Sequence, residues 1–227
     1  MQEQAKETLR KWKYHLYTLK RPSQNIYSDK GFHHYKCIFF HIPKTGGVSI
    51  NKSLFKNLGL GHITVDFAKE HFSHEMLHDY FKFSIVRNPY TRLFSSFWFL
   101  KNGGFDEKDK IWAEENLSDF KSFESFVMEW INEDNCHLKR HFFPQHHFIT
   151  DPLTAEVFVD FCGRFEQLNK GFDFICKKIK IKKQLLFHSN KIKNTPDDRL
   201  NLSLEMKKRI ISCYAKDFEL FDYSMLL

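Results

Sequence analysis

The sequence predicts an α/β protein: a central parallel sheet flanked by helices, in a single domain. Two segments read strand, tight turn, helix, one after the other: residues 35–42 running into Gly46-Gly47, and residues 81–86 running into Asn88-Pro89. Both strand candidates are nearly continuous apolar runs, as expected of strands covered on both faces. Strands that alternate with helical stripes pair in parallel, the helices serving as crossovers.

Residues 1–30 are polar and predict a helical or loop extension to a body spanning 31–227. The first strand, YKCIFFHI, stops at Pro43 and the glycine pair. Ile50, Leu54 and Leu58 then fall at i, i+4, i+8 and predict a helix over 48–58. FKFSIV over 81–86 is the second strand. Arg87-Asn88-Pro89 is its turn, and the proline opens a helix running from Tyr90 to about Leu100. Phe120, Phe123, Phe126, Val127, Trp130 and Ile131 predict an amphipathic helix, and EVFVDF over 156–161 a third strand. Residues 167–179 and 204–218 predict further helices. No repeat, Gly/Ser linker or Pro-rich tract divides the chain.

With 227 residues the chain can enclose one substantial core. Hydrophobic residues at 42% and charged residues at 28% exclude disordered and fibrous classes, and 26 phenylalanines make the core aromatic. The net charge of +7 favours an anionic partner, yet the lysines are scattered, densest at 177–183 and 191–193, and a solvated surface accounts for them equally well. There is no tight basic stripe or nucleic-acid module, so no nucleic-acid partner is expected. Cys37, Cys136, Cys162, Cys176 and Cys213 are odd in number and widely spaced, without CxxC. That pattern argues against a disulfide framework and a zinc site and for a reducing compartment. His137 and His141 share a face only if helical, and no HExxH accompanies them, so no metal is expected. The N-terminal stretch has no apolar run of signal-peptide or membrane-span length, and the expectation is a cytoplasmic protein. A Golgi lumenal fragment separated from its anchor would read the same.

The most informative stretch is His41-Ile42-Pro43-Lys44-Thr45-Gly46-Gly47-Val48-Ser49. Two glycines allow a sharp turn that brings successive N–H groups near an anion, and the helix that follows adds its N-terminal N–H groups and positive dipole end. Lys44 supplies a mobile charge; Thr45 and Ser49 supply hydroxyls. The nucleotide P-loop GxxxxGK[ST] places its lysine after the glycines, whereas here lysine precedes them, which disfavours a small-molecule kinase. A non-enzymatic basic module holding glycan or nucleic acid is the other alternative.

PKTGG after an apolar strand resembles the 5′-phosphosulfate loop of sulfotransferases that use 3′-phosphoadenosine-5′-phosphosulfate (PAPS), and HIPKTGG resembles the carbohydrate and uronyl 2-O-sulfotransferase branch. Arg87-Asn88-Pro89-Tyr90-Thr91-Arg92-Leu93-Phe94-Ser95 is similar to that family's 3′-phosphate motif, R-(N/D)-P-x-x-R-x-x-S. The resemblance implies a P-loop-like sheet, with Lys44, Thr45, Gly46, Gly47, Val48 and Ser49 around the 5′-phosphosulfate and Arg87 and Ser95 on the 3′-phosphate. Singly, Arg87 reads as a surface ion-pair partner and Ser95 as a solvated helix position; a guanidinium fork with a helix-borne hydroxyl also suits phosphate. Softer likenesses lie in Gly163-Arg164-Phe165-Glu166 and in His141-Phe142-Phe143-Pro144-Gln145, so the resemblance spans roughly residues 35–225. Arg164 then meets the nucleotide, an acidic acceptor or Glu166, and only the likeness puts His141 in an acceptor cleft. The Asn190, Lys191, Lys193 loop reads as solvated.

The resemblance implies in-line sulfuryl transfer to a hydroxyl, on a saccharide, leaving 3′-phosphoadenosine-5′-phosphate. Lys44 would stabilise the departing phosphate. Leu60-Gly61-His62-Ile63-Thr64-Val65-Asp66-Phe67 resembles the H-G-H-V-x-x-x-D-F stretch of uronyl 2-O-sulfotransferases, with Leu60 in place of the first histidine. That leaves His62 as the general base, against the alternative of a packing or capping histidine.

Overall fold

The computed structural model describes residues 28–182, 185–187 and 200–226. Most of the N-terminal extension and the Asn190, Lys191, Lys193 loop lie outside the described residues. In chain order the main elements are α1 (Lys30–Tyr35), β1 (Cys37–Phe40), α2 (Gly47–Phe55), α3 (Val65–His71), α4 (His74–Asp79), β2 (Phe81–Val86), α5 (Pro89–Lys101), α6 (Glu107–Leu117), β3 (Phe161–Arg164), α7 (Leu168–Lys178) and α8 (Leu204–Leu220). They form two compact units. The chain passes from the first to the second at Arg87, returns at His147, and its last helix belongs to the second.

The first unit holds the parallel sheet, in the order β1-β2-β3. Phe39 lies opposite Phe83, and Phe83 opposite Phe161. All four residues of β1 are buried, as its unbroken apolar run requires. The Phe39 and Phe83 rings stack at 4.9 Å, and the Ser84 hydroxyl donates to the Phe40 carbonyl at 2.6 Å. α7 packs on β2 and β3, and its sequence is strongly amphipathic, with Phe172, Ile175 and Cys176 buried.

The sequence places the third strand too early. Residues 156–160 lie outside the sheet; Val157 makes a lone antiparallel bridge to Thr150 and is 37% exposed. Asp160 sets the register instead. Its carboxylate accepts from the Lys82 N–H at 2.7 Å, and its own N–H donates to the Lys82 carbonyl at 2.8 Å. Pairing with β2 therefore begins at Phe161.

The second unit is built around an aromatic core from α5, the segment 120–142 and α8, including Tyr90, Phe97, Phe126, Phe142 and Phe218. The helix expected over 120–131 is a single α-turn, Phe123–Ser125, capped by Ser122, followed by a π-turn, Phe126–Trp130. The π-turn closes with Ile131 N–H on the Phe126 carbonyl at 3.1 Å. The widened turn stacks Phe126 on Trp130 at 5.2 Å and turns both rings onto Phe142, at 5.2 and 5.5 Å. Ring packing here outweighs a regular hydrogen-bond ladder. α8 is interrupted at Tyr214, whose hydroxyl donates to the Phe142 carbonyl at 2.7 Å.

Candidate active site

In the first unit the chain leaves β1 through His41, Ile42 and Pro43 into the glycine turn. Lys44 has φ 67 and Gly46 φ 83, so both sit in the left-handed region. For a lysine that conformation costs on the order of 1–2 kcal/mol, a local strain of the kind that clusters at ligand-binding turns. Thr45 is fully buried and its hydroxyl donates inward to the Ile42 carbonyl at 2.9 Å, stapling the turn. Gly46 caps α2: its carbonyl accepts from Ser49 N–H at 3.0 Å and Ile50 N–H at 3.3 Å. The N–H groups of Gly47 and Val48 come before the first of these bonds. Val48 is half-buried and Ser49 buried at this end.

Gly47 has a steric reason that the sequence does not reveal. A Cβ at this position would lie 1.9 Å from Cδ2 of His41, so the His41 ring rests against the turn where any side chain would stand. His41 also receives His62. The His62 Nδ1 lies 2.8 Å from the His41 carbonyl, and the two rings are 4.2 Å apart at 49°. A carbonyl only accepts, so the neutral His62 ring carries its proton on Nδ1 and its lone pair on Nε2. Leu60 is 2% exposed and belongs to the core. Thr64, two residues past His62, caps α3 by accepting from Phe67 N–H, which fixes where the 56–64 loop ends. The first unit thus brings the Lys44–Ser49 turn and His62 together through His41.

Arg87 and Ser95 belong to the second unit. The Arg87 backbone is gripped by one amide: its N–H donates to Gln145 Oε1 and its carbonyl accepts from Gln145 Nε2, each at 2.8 Å. Gln145 is fully buried, and its own N–H donates to Asp217 Oδ2 at 2.7 Å. Asp217, also fully buried, further accepts from the N–H of His146 and from its Nδ1. The Arg87 Nε donates to Thr91 Oγ1 at 3.0 Å, one turn into α5, and the Asn88 side chain caps that helix. Ser95 is 9% exposed on α5.

Arg92, inside the same motif, has a structural task. It is 1% exposed and donates to the carbonyls of His141 and Phe143, while Ser96 Oγ also donates to His141 O. Burial lowers the pKa of its guanidinium, opposed by Tyr214 and Asp217. Arg92 ties residues 141–143 to α5, and Gln145 ties Arg87 to the same segment.

Among the other candidates, Asn135–His137 is a 3-10 turn and His141 lies beyond it, so the four-residue spacing makes no helical face. Among the described residues no group of three or more His, Cys, Asp or Glu is placed to hold a metal ion, and no helix is long and apolar enough to cross a membrane. Burial pushes the Cys37 and Cys162 thiols up to about 12, which keeps them protonated at neutral pH. Arg164 is half-buried at the end of β3. The His41 link and the Gln145–Asp217 clamp escaped sequence reasoning; His41 stands in the motif string, but the clamp joins residues 58 and 72 positions apart and leaves no local signature.

A protein-family model described as the Sulfotransferase family matches residues 31–224. No curated protein and no solved structure matches the chain.

Proposed function

The chain belongs to the sulfotransferase family, and from that premise we propose that it transfers a sulfuryl group from PAPS to a hydroxyl group of a carbohydrate. Membership of the family points to a hydroxyl-bearing acceptor. The observation that carries it is the turn between β1 and α2. It has a lysine in left-handed conformation, a glycine pair, and a helix N-terminus with Ser49 buried at its start. Backbone N–H groups, an ammonium and a hydroxyl are the donor set that a phosphosulfate requires. Within the second unit, Arg87 and Ser95 are the residues that the likeness assigns to a 3′-phosphate. Arg87 is fixed at its backbone by Gln145 and along its side chain by Thr91, which orients a guanidinium suited to phosphate.

When bound, PAPS supplies an activated sulfuryl group. Lys44 places positive charge where negative charge develops on the departing phosphate, an interaction strongest in the transition state. His62, with its proton held on Nδ1 by the His41 carbonyl, accepts the acceptor hydroxyl's proton at Nε2. No residue in this scheme acts through a metal. The carbohydrate acceptor is supported by the likeness of HIPKTGG and of the His62 segment to the carbohydrate and uronyl branch.

Calorimetric titration with 3′-phosphoadenosine-5′-phosphate, set beside ADP, tests the reading. Tight binding of the first and weak binding of the second is the expected result. Equal binding would remove the role given to Arg87 and Ser95 and favour a kinase; no binding of either would favour a glycan-binding module.

A further inference from the structure

The second unit brings together two of the five cysteines, although they are far apart in sequence. Cys136 stands in the 3-10 turn Asn135–His137 and Cys213 on α8. Both belong to the aromatic core of the unit, at 1% and 9% exposure. Their thiols, free in the structure, are hydrogen-bonded to each other. The Cys136 thiol also reaches the Glu133 carbonyl, at 3.2 Å.

The surroundings give the two sulfurs different roles. The hydrogen bond from Cys136 lowers the pKa of Cys213, against the opposing effects of burial and Glu133 and with help from Ser212 and Arg209. Cys136 moves the other way, raised by the same hydrogen bond and by burial. Cys213 is therefore the better nucleophile and the one nearer solvent. Arg92 is 1% exposed, and its Nε has no hydrogen-bond partner among the described residues. Its charge favours a thiolate on Cys136 when that sulfur reacts in its turn. α8 is already interrupted beside Cys213, at Tyr214, so a small shift of the Cys213 sulfur need not bend a continuous helix.

We propose that Cys136 and Cys213 are a reversible disulfide site, closed by exchange with a low-molecular-weight disulfide such as oxidised glutathione, and that the bond locks α8 to the Asn135–His137 turn. The Cys213 thiolate attacks one sulfur of the oxidant, whose S–S bond breaks. The first glutathione leaves and takes up the proton that Cys213 gave up. Cys136 then loses its proton and attacks Cys213 Sγ, expelling the second glutathione, which takes that proton up. Two protein thiols are oxidised and one glutathione disulfide is reduced to two glutathione thiols. The closed loop is long, the case in which a cross-link restricts the unfolded chain most. None of this depends on the proposed sulfuryl transfer.

The test is to treat the full chain with oxidised glutathione well below its melting temperature, then read intact mass, unreduced peptide maps and melting temperature. Wild type should lose two hydrogens in mass and yield a linked Cys136–Cys213 peptide, with Cys37 and Cys162 still free. Its melting temperature should rise by roughly 4–16 °C, and dithiothreitol should reverse both changes. Cys136→Ser should instead carry one glutathione on Cys213, whereas Cys213→Ser should leave Cys136 unmodified. Should either variant fail to fold, the wild-type mass, map and melting temperature still decide. Both thiols remaining free, or glutathione adducts without the cross-link in wild type, would overturn the site. A linked pair without a rise in melting temperature would overturn the lock on α8. Glutathione on Cys136 in Cys213→Ser would overturn the roles given to the two sulfurs.

Discussion

At the scale of single residues, the proposed chemistry divides between a charge and a lone pair, and the two are separable by substitution. His62→Ala removes the proton acceptor without touching the turn. It should lower turnover of PAPS with a sugar acceptor by about 10²–10⁴-fold while the affinity for 3′-phosphoadenosine-5′-phosphate, read by calorimetry, stays unchanged; full activity would return His62 to a packing role. Gly47→Ala should fail differently. The added Cβ would meet the His41 ring at 1.9 Å, so turn or ring must shift, and overpacking of this kind costs about 1–3 kcal/mol. Loss of nucleotide binding together with a lower melting temperature is the expected outcome. The sheet thiols are packing groups, Cys37 buried on β1 and Cys162 half-buried on β3. With their pKa pushed up to about 12, Cys37 and Cys162 should resist iodoacetamide at pH 8 in the folded protein and react once it is unfolded, as peptide mapping would register.

At the scale of elements, legibility tracked how local the deciding interaction is. β2 was readable to the residue because its apolar run, the Asn88 cap and Pro89 all lie within ten positions of one another. The segments misread are those settled by distant partners. β3 begins at Phe161 because Asp160 bonds to Lys82, 78 positions away. The 120–131 helix gives way to a π-turn because Phe126 and Trp130 meet Phe142. The candidate site follows the same rule: Lys44 to Ser49, Arg87 and Ser95 could be nominated from contiguous strings, while the clamp that holds Arg87 could not. That clamp yields its own prediction. Gln145→Leu leaves the Arg87 N–H and carbonyl without their partner, at about 1–3 kcal/mol for each buried group. The variant should melt at lower temperature, and its preference for 3′-phosphoadenosine-5′-phosphate over ADP should shrink because the guanidinium stem is no longer fixed. A melting shift with the preference intact would make Gln145 a stability residue only.

At the scale of the whole molecule, the two units are interleaved along the chain, and this has a consequence for dissection. The first unit needs residues on both sides of the second: β2 pairs with β3, and α7 covers them, yet β3 and α7 come more than 70 residues later than β2. A fragment ending at Val86 would expose the β2 edge and the apolar face that α7 covers, and a two-stranded remnant is marginal at best in water. Expressed alone, residues 1–86 should lack a cooperative thermal transition, whereas the full chain should have one. Nucleotide added to the full chain supplies the complementary measurement. A ligand at 100 times its dissociation constant stabilises the folded state by about 2.7 kcal/mol, which for a chain of this size corresponds to roughly 5–11 °C in melting temperature. 3′-Phosphoadenosine-5′-phosphate should produce such a shift in the full chain and none in the 1–86 fragment, although that fragment carries the entire Lys44–Ser49 turn and His62. A shift in the fragment would mean that the turn folds and binds without β3. The framework of the phosphate site would then be local to β1 and α2, and the sheet pairing that defines the unit would be dispensable for it.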